Sequence, residues 1–188
     1  MRKIFCLLLM ATAVMLVSCD KKKAPKQSEI VVENTISADR EYMFATYGEY
    51  KWYETSVTLK NFLDEENDGS VETVSSLFQV VTKVDSCYDT KVVFSTYSLE
   101  GHDVVVKDGF VFSDEDLNKE KLPITFKQAF DSLMASNFVK PHSRQCVLRK
   151  EVGPKPAAPQ YIFGNDKGRL YVDATNGSVS ETSPAFPE

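Results

Sequence analysis

The sequence predicts an α+β fold in which an antiparallel sheet carries one main amphipathic helix on one face. Between residues 50 and 112, short runs rich in Val, Thr, Tyr and Phe are separated by acidic or Gly-containing turns, which indicates a meander of about four strands. A helical period of three and four residues begins near residue 125. About three further short strands follow that helix.

The meander is predicted from alternating residues in each run. Its strands are expected at residues 50–63, 71–84, 90–98 and 104–112, and its turns at 64–70, 85–89 and 99–103. In the first run Tyr53, Val57 and Leu59 share a face, and polar residues point the other way. This alternation predicts one covered and one solvent-facing side of the sheet. Aromatic residues at helical spacing in residues 38–48 indicate a short helix before the first strand.

The main helix is predicted from a capping box and an apolar stripe. Thr125 is placed to cap the helix, and Gln128 completes the Thr-x-x-Gln pattern. The stripe consists of Phe126, Ala129, Phe130, Leu133 and Met134. Strands are then expected at residues 144–151, 161–164 and 169–173, with a proline-rich connection at 153–159 and a turn at 165–168.

The amino terminus resembles a bacterial lipoprotein signal peptide. Arg2 and Lys3 precede an apolar run at residues 4–17, which is too short for a stable bilayer span and ends in Ser18-Cys19. The resemblance implies that the chain is cleaved between Ser18 and Cys19. It also implies that lipid is attached to the Cys19 sulfur and anchors the protein in a membrane. An ordinary secretory signal or an amino-terminal membrane anchor is the alternative.

The charge and composition of the chain limit the classes of molecule that it can bind. After residue 18 the chain carries twenty Lys and Arg against 27 Asp and Glu, a net charge of about −7, which argues against nucleic acid as a partner. The predicted organisation is a signal peptide (1–18), a lipidated tether (19–38), a β-meander half (39–121), an α+β half (122–182) and a tail (183–188). Residues 39–182 can also form one continuous domain.

The carboxyl-terminal third resembles a PepSY-like domain. An amphipathic helix, one strand, a Pro-containing approach and a last strand ending in Val-Asp-Ala-Thr-Asn-Gly-Ser-Val occur in the order typical of that family. In the closing turn Asp173 can accept backbone hydrogen bonds, and Asn176 and Gly177 tolerate positive φ angles. The resemblance implies a binding role, and protease inhibition or regulation is the activity proposed for such domains.

Two cysteines remain besides the lipidation candidate. In an oxidising envelope compartment, Cys87 and Cys146 are able to form a disulfide that closes a loop of about sixty residues. Cys87 lies in a predicted turn and Cys146 in a predicted strand, so nothing local places them opposite one another. Two separate buried thiols therefore remain the alternative.

No catalytic, cofactor-binding or metal-binding motif is present in the sequence. His102 and His142 lack partners at metal-ligand spacing, and the common nucleophile, metalloprotease and phosphate-loop patterns are absent. We therefore expect a lipid-anchored binding module without catalytic activity, with a protein or peptide partner such as an envelope protease. A small-molecule or glycan-binding lipoprotein is the alternative, and a hydrolase is less favoured. The expected location is the inner or outer membrane, with the folded part in the periplasm or at the cell surface.

Overall fold

The computed structural model describes residues 29–63, 66–84, 87–111, 113 and 115–186, without the side chains at positions 83, 84 and 87. The predicted signal peptide, Ser18, Cys19 and the first part of the tether lie outside the described residues. No helix in the described ranges is long and apolar enough to cross a bilayer.

Within these ranges the chain forms two α-helices, one 3₁₀ turn and eight strands. The helices are α1 (Val32–Tyr47) and α2 (Phe126–Ala135), and the 3₁₀ turn is Leu117–Lys119. The strands are β1 (Lys51–Leu59), β2 (Val71–Val84), β3 (Cys87–Ser98), β4 (Gly101–Asp108), β5 (Gln145–Arg149), β6 (Gln160–Asn165), β7 (Gly168–Asp173) and β8 (Val179–Ser180).

The predicted fold class is wrong. The described chain is mainly one eight-stranded antiparallel sheet with two short helices, in the order β4-β3-β2-β1-β5-β6-β7-β8. The α+β prediction divided the strands into a group of about four and a group of about three beside a main helix. Strand β1 pairs with β2 on one side and with β5 on the other, so the two groups merge into a single sheet. Strand β8 is too short to be recognised by alternation.

Helix α2 covers one face of the sheet beside β6 and β7. The predicted capping box is confirmed, because Thr125 accepts from the Gln128 backbone and the Gln128 side chain accepts from the Thr125 backbone. Phe126 and Phe130 then pack against Phe163, with ring centroids 6.1 and 6.4 Å apart. The apolar stripe thus faces the core, as its spacing predicts.

Helix α1 covers the same face beside β2 and β3. It begins at Val32, inside the segment predicted as a tether, and ends before Gly48, whose φ of 76° stops the helix. Its buried residues are Val32, Thr35, Asp39 and Met43. Two of these four are polar, so the helix buries hydrogen-bonding groups as well as apolar surface.

Among the residues that the structure describes, the opposite face is covered by connecting segments. In the connection that follows β4, the backbone N–H of Val111 donates to Gln79 on β2 (2.7 Å). In residues 183–186 Ser183 donates to Glu151, and Ala185 is fully buried. These two segments lie on the face that the helices leave free and bound the cleft described below.

We expect Thr125→Ala to lower the free energy of unfolding by about 1 kcal/mol, because the substitution leaves a first-turn N–H of α2 without its acceptor. Thr125→Ser retains the hydroxyl and is the matched control, with a loss of less than half that size. Urea denaturation of both variants measures the difference. Equal stability of the Ala and Ser variants would contradict the capping role.

Candidate functional site

A row of polar side chains is buried between the sheet and helix α1. Thr55, Ser76 and Ser95 occupy matched positions on β1, β2 and β3, so they lie side by side on one face. Asp39 of α1 packs over them, and all four residues have 0% solvent exposure. Buried polar groups persist when they bond to one another, so this row is a hydrogen-bonded network.

Hydrogen bonds extend along this row to the edge strand. Thr55 Oγ1 lies 3.0 Å from Ser76 Oγ. Ser95 donates its hydroxyl hydrogen to Asp39 Oδ1, and Ser95 Oγ lies 2.7 Å from His102 Nε2 on β4. Because the Ser95 hydrogen is directed to Asp39, Nε2 must carry a hydrogen and donate it to Ser95.

Aromatic rings fix the orientation of His102. The imidazole stacks on Tyr97, with centroids 3.9 Å apart and an interplanar angle of 8°. Tyr42 of α1 meets the same ring edge-on at 6.1 Å. The sequence predicts a turn at residues 99–103, whereas the structure places His102 in β4 against α1. Its partners lie on α1 and β3, so no local pattern identifies them.

Ser95, His102 and Asp39 have the residue types of a hydrolytic triad but not its geometry. In a triad, histidine accepts from serine at one ring nitrogen and donates to the carboxylate at the other. Here Asp39 Oδ1 lies 3.9 Å from Nε2, the same nitrogen that contacts Ser95. Ser95 is also fully buried. The network therefore holds α1 on the sheet and presents no accessible nucleophile.

Burial changes the protonation of this network. It raises the pKa of Asp39 above 3.8, and the hydroxyls of Ser95 and Ser76 and the charge of His102 act in the opposite direction without offsetting it. Asp39 Oδ2 has no hydrogen-bond partner of good geometry among the described residues. Burial, with a smaller contribution from the Asp39 charge, also raises the pKa of Tyr97 to about 12.

A half-open cleft of about 390 Å³ lies on the opposite face of the sheet. Its floor consists of Glu54, Leu77 and Arg149, which occupy matched positions on β1, β2 and β5. Val111 and Phe186 contribute apolar side chains from the two covering segments. The cleft thus combines apolar side chains with two carboxylates, Glu54 and Glu151, and two cationic groups, Arg149 and Lys150, a combination that suits an amphipathic ligand.

A β-bulge in β1 directs Tyr53 into this cleft. The β1–β2 register shifts between Trp52 and Glu54, so Tyr53 is an extra residue in the ladder. Trp52 packs in the main core together with Val57, whereas Tyr53 lines the cleft on the other face. The prediction that Tyr53 shares a face with Val57 and Leu59 is therefore wrong, because simple alternation does not reveal a bulge.

An ion pair between Arg149 and Glu151 holds one wall of the cleft. Glu54 and the Nε atom of Arg149 take no part in it. Arg149 Nη2 donates to Glu151 Oε1 (2.9 Å), and Ser183 of the tail donates to the other Glu151 oxygen. The Nε of Arg149 is buried without a hydrogen-bond partner in the described part of the chain. Glu54 lies directly across the ladder from Arg149, and no ion pair to Glu54 occurs among the described residues.

Lys150 fixes the other wall. Its Nζ lies 2.6 Å from Glu115 and 3.0 Å from Glu120, both in the chain that leads from β4 to α2. These two carboxylates raise the pKa of Lys150. The side chain therefore stays charged and holds the connection against the end of β5.

The cysteine at position 146 is a free thiol. Cys146 is fully buried in β5, and this burial raises its pKa. Cys87 begins β3, which is separated from β5 by β2 and β1, and the side chain of Cys87 lies outside the described residues. The sequence analysis gave a disulfide and separate buried thiols as alternatives. In the structure Cys146 is a buried thiol.

The closing turn of the PepSY-like segment has several local hydrogen bonds. Asp173 Oδ1 accepts from the backbone N–H of Thr175 (2.7 Å), and the Asp173 carbonyl accepts from Gly177 (2.8 Å). Gly177 has a φ of 77°, and Asn176 Oδ1 accepts from the N–H of Ser178 (2.8 Å). These bonds are internal to the turn, and none of the residues 173–178 lines the cleft.

The chain matches no protein-family model, no curated protein and no solved structure. The resemblances to lipoprotein signal peptides and to PepSY-like domains therefore stay predictions from the sequence.

We expect Asp39→Asn to change how stability depends on pH. The folded-state pKa of Asp39 is above its ordinary value of 3.8, so the folded state binds the proton more tightly than the unfolded state. Relative to Asp39→Asn, wild-type stability should fall as pH rises from about 4 to the raised pKa, by about 1.4 kcal/mol per pH unit, and then level off. Urea denaturation across this range measures the difference.

Ser95→Ala is the matched control for this prediction. It keeps the carboxylate and removes a hydroxyl that lowers the pKa of Asp39, so the fall in stability should extend to higher pH. Wild-type and Asp39→Asn curves that run parallel over the whole range would show that the buried carboxyl does not titrate in this way.

Proposed function

We propose that this chain is a non-catalytic binding module of the bacterial cell envelope that binds a peptide segment of another envelope protein. Lipid on Cys19 holds it at a membrane. The binding role rests on one observation: the cleft between the connecting segments combines apolar walls with Glu54 and the partnerless Nε of Arg149 on its floor.

A peptide segment suits this combination of groups. An apolar side chain of the peptide packs against Leu77, Val111 and Phe186, which line the cleft. Peptide carbonyls are acceptors for the partly exposed guanidinium of Arg149, and peptide N–H groups are donors for the Glu54 carboxylate. Binding in this way adds hydrogen bonds to the charged groups on the cleft floor.

Inhibition of an envelope protease is one form that such binding can take, because a segment of the enzyme that is bound in the cleft cannot contact other molecules.

A small molecule or glycan is the alternative ligand. Sugar recognition favours a ring that is open to solvent for stacking. Tyr53 is only 6% exposed, so the cleft favours a peptide. A hydrolase is disfavoured because Ser95 is buried and its hydrogen is directed to Asp39.

For the membrane anchor, we expect Cys19→Ala to abolish partitioning of the full chain into the detergent phase, because two acyl chains provide the stable attachment. Cys146→Ala, which removes the buried thiol of β5, is the matched control and should partition as the wild type does. Phase separation followed by mass spectrometry of the amino terminus measures both. Full partitioning of Cys19→Ala, or a mature protein without acyl mass, would contradict the anchor.

For the cleft, we expect Leu77→Lys to abolish peptide retention, because it replaces the apolar residue of the floor with a charged one. The full chain in detergent is immobilised and exposed to peptides from digested envelope proteins, and retained peptides are identified by mass spectrometry. Val139→Lys is the matched control, since Val139 is 88% exposed and lies outside the cleft. It should retain the wild-type set of peptides.

Three outcomes of this experiment count against the proposal. Equal retention by the Leu77→Lys and Val139→Lys variants would place binding outside the cleft. Retention of saccharide fragments instead of peptides would favour the alternative ligand. A wild-type chain that retains neither class would remove the basis for a binding module.

A further inference from the structure

Strand β4 is a long, regular edge of the sheet. Gly101–Asp108 pairs with β3 through eight successive residue pairs without a register shift, and no described residue pairs with its outer side. The other edge, β8, has only two residues. Natural sheets usually shorten, bend or cover an exposed edge, because unpaired backbone groups invite another strand. The edge strand β8 is short, as this rule expects. The edge strand β4 is eight residues long and contains no bulge.

Apolar side chains accompany these unpaired backbone groups. Val105 and Val106 of β4 are 41% and 44% exposed, and Phe94, which pairs with Val105 from β3, is 37% exposed. Two charges of opposite sign flank the valines: Asp103 lies two residues before Val105, and Lys107 two residues after it. The edge therefore has an apolar centre between an acidic and a basic position.

We propose that β4 pairs antiparallel with β4 of a second copy of this chain, with Val105 opposite Val105. A two-fold axis through this position places Asp103 of each copy opposite Lys107 of the other. The same register places Val104 opposite Val106 and His102 opposite Asp108. Opposite charges and β-branched residues are the favourable cross-strand pairs in an antiparallel ladder.

The sequence of β4 selects this register over its neighbours. If Val104 is at the centre, Asp103 faces Val105, and if Val106 is at the centre, Lys107 faces Val105. Either shift removes both charge pairs. The Lys107 ammonium also lies 5.5 Å from the centre of the Phe94 ring, and this contact holds the ammonium on the Phe94 side of the sheet. In the proposed register, Asp103 of the second copy lies on the same side of the sheet. This self-complementarity favours a second copy over an unrelated strand.

Charge exchange tests the proposal directly. Asp103→Lys alone places two lysines opposite each other at both ends of the ladder, and Lys107→Asp alone does the same with aspartates. Each should weaken dimerisation about tenfold. The double exchange Asp103→Lys, Lys107→Asp restores opposite charges and should return the dissociation constant to within about threefold of wild type. Sedimentation of the full chain in detergent over a range of concentrations measures it.

Glu181→Lys is the matched control for charge, because it makes the same change in an exposed residue beside β8 and should leave dimerisation unchanged. Cross-linking supplies a second readout. Val105→Cys should form a disulfide-linked dimer on oxidation, since the two Cα atoms would be about 4.5 to 5.5 Å apart. Val81→Cys, exposed on β2, controls for random collision. Circular dichroism establishes that each variant is folded.

The proposal is overturned if the wild type stays monomeric at all concentrations, or if the double exchange fails to restore a dimer lost in folded single variants. It is also overturned if Val105→Cys cross-links no faster than Val81→Cys. None of these measurements uses the cleft, so their failure is separate from failure of the proposed peptide binding.

Discussion

The pairing of β1 with β5 is the constraint on which the rest of the structure depends. Five matched pairs, from Glu54 with Arg149 to Thr58 with Gln145, join the strands before α2 to the strands after it. The chain between β4 and β5 therefore has to return across the sheet, and it places α2 on the same face as α1. Within the described part of the chain, two helices cover one face and short connecting segments cover the other. The cleft exists because those segments do not close over it.

Strand β1 serves both faces at once. Thr55 joins the buried network under α1, and its neighbour Glu54 forms part of the cleft floor on the other side. Packing of Asp39 against Ser95 fixes the strands from the helix side. A ligand in the cleft then meets a floor whose positions are already set, and a preorganised floor reduces the entropy lost on binding.

The sequence predicts those parts of the fold whose signals are local. Helix α2 has a capping box and an unbroken apolar stripe, and β2 was predicted with its observed bounds, 71–84. Helix α1 was predicted too short, because Thr35 and Asp39 interrupt its buried stripe with polar residues. The β1–β5 pairing joins residues far apart in the chain, and alternation within a strand does not identify its partner. For this reason the single sheet was missed.

The candidate site was less predictable than the fold. Its cleft depends on a bulge that redirects Tyr53 and on lining residues from two distant parts of the chain, Val111 and Phe186, which share a cleft only in the folded chain.

The position of this cleft also bears on assembly. Its floor lies on β2, β1 and β5, and β3 separates it from the β4 edge. A two-fold axis that pairs two β4 strands stands perpendicular to the sheet, so both clefts of the pair would open on the same side. Two clefts presented together bind a repeated or paired segment with greater avidity than either cleft alone, without any new contact. The long edge strand and the open cleft are thus compatible features of one binding surface.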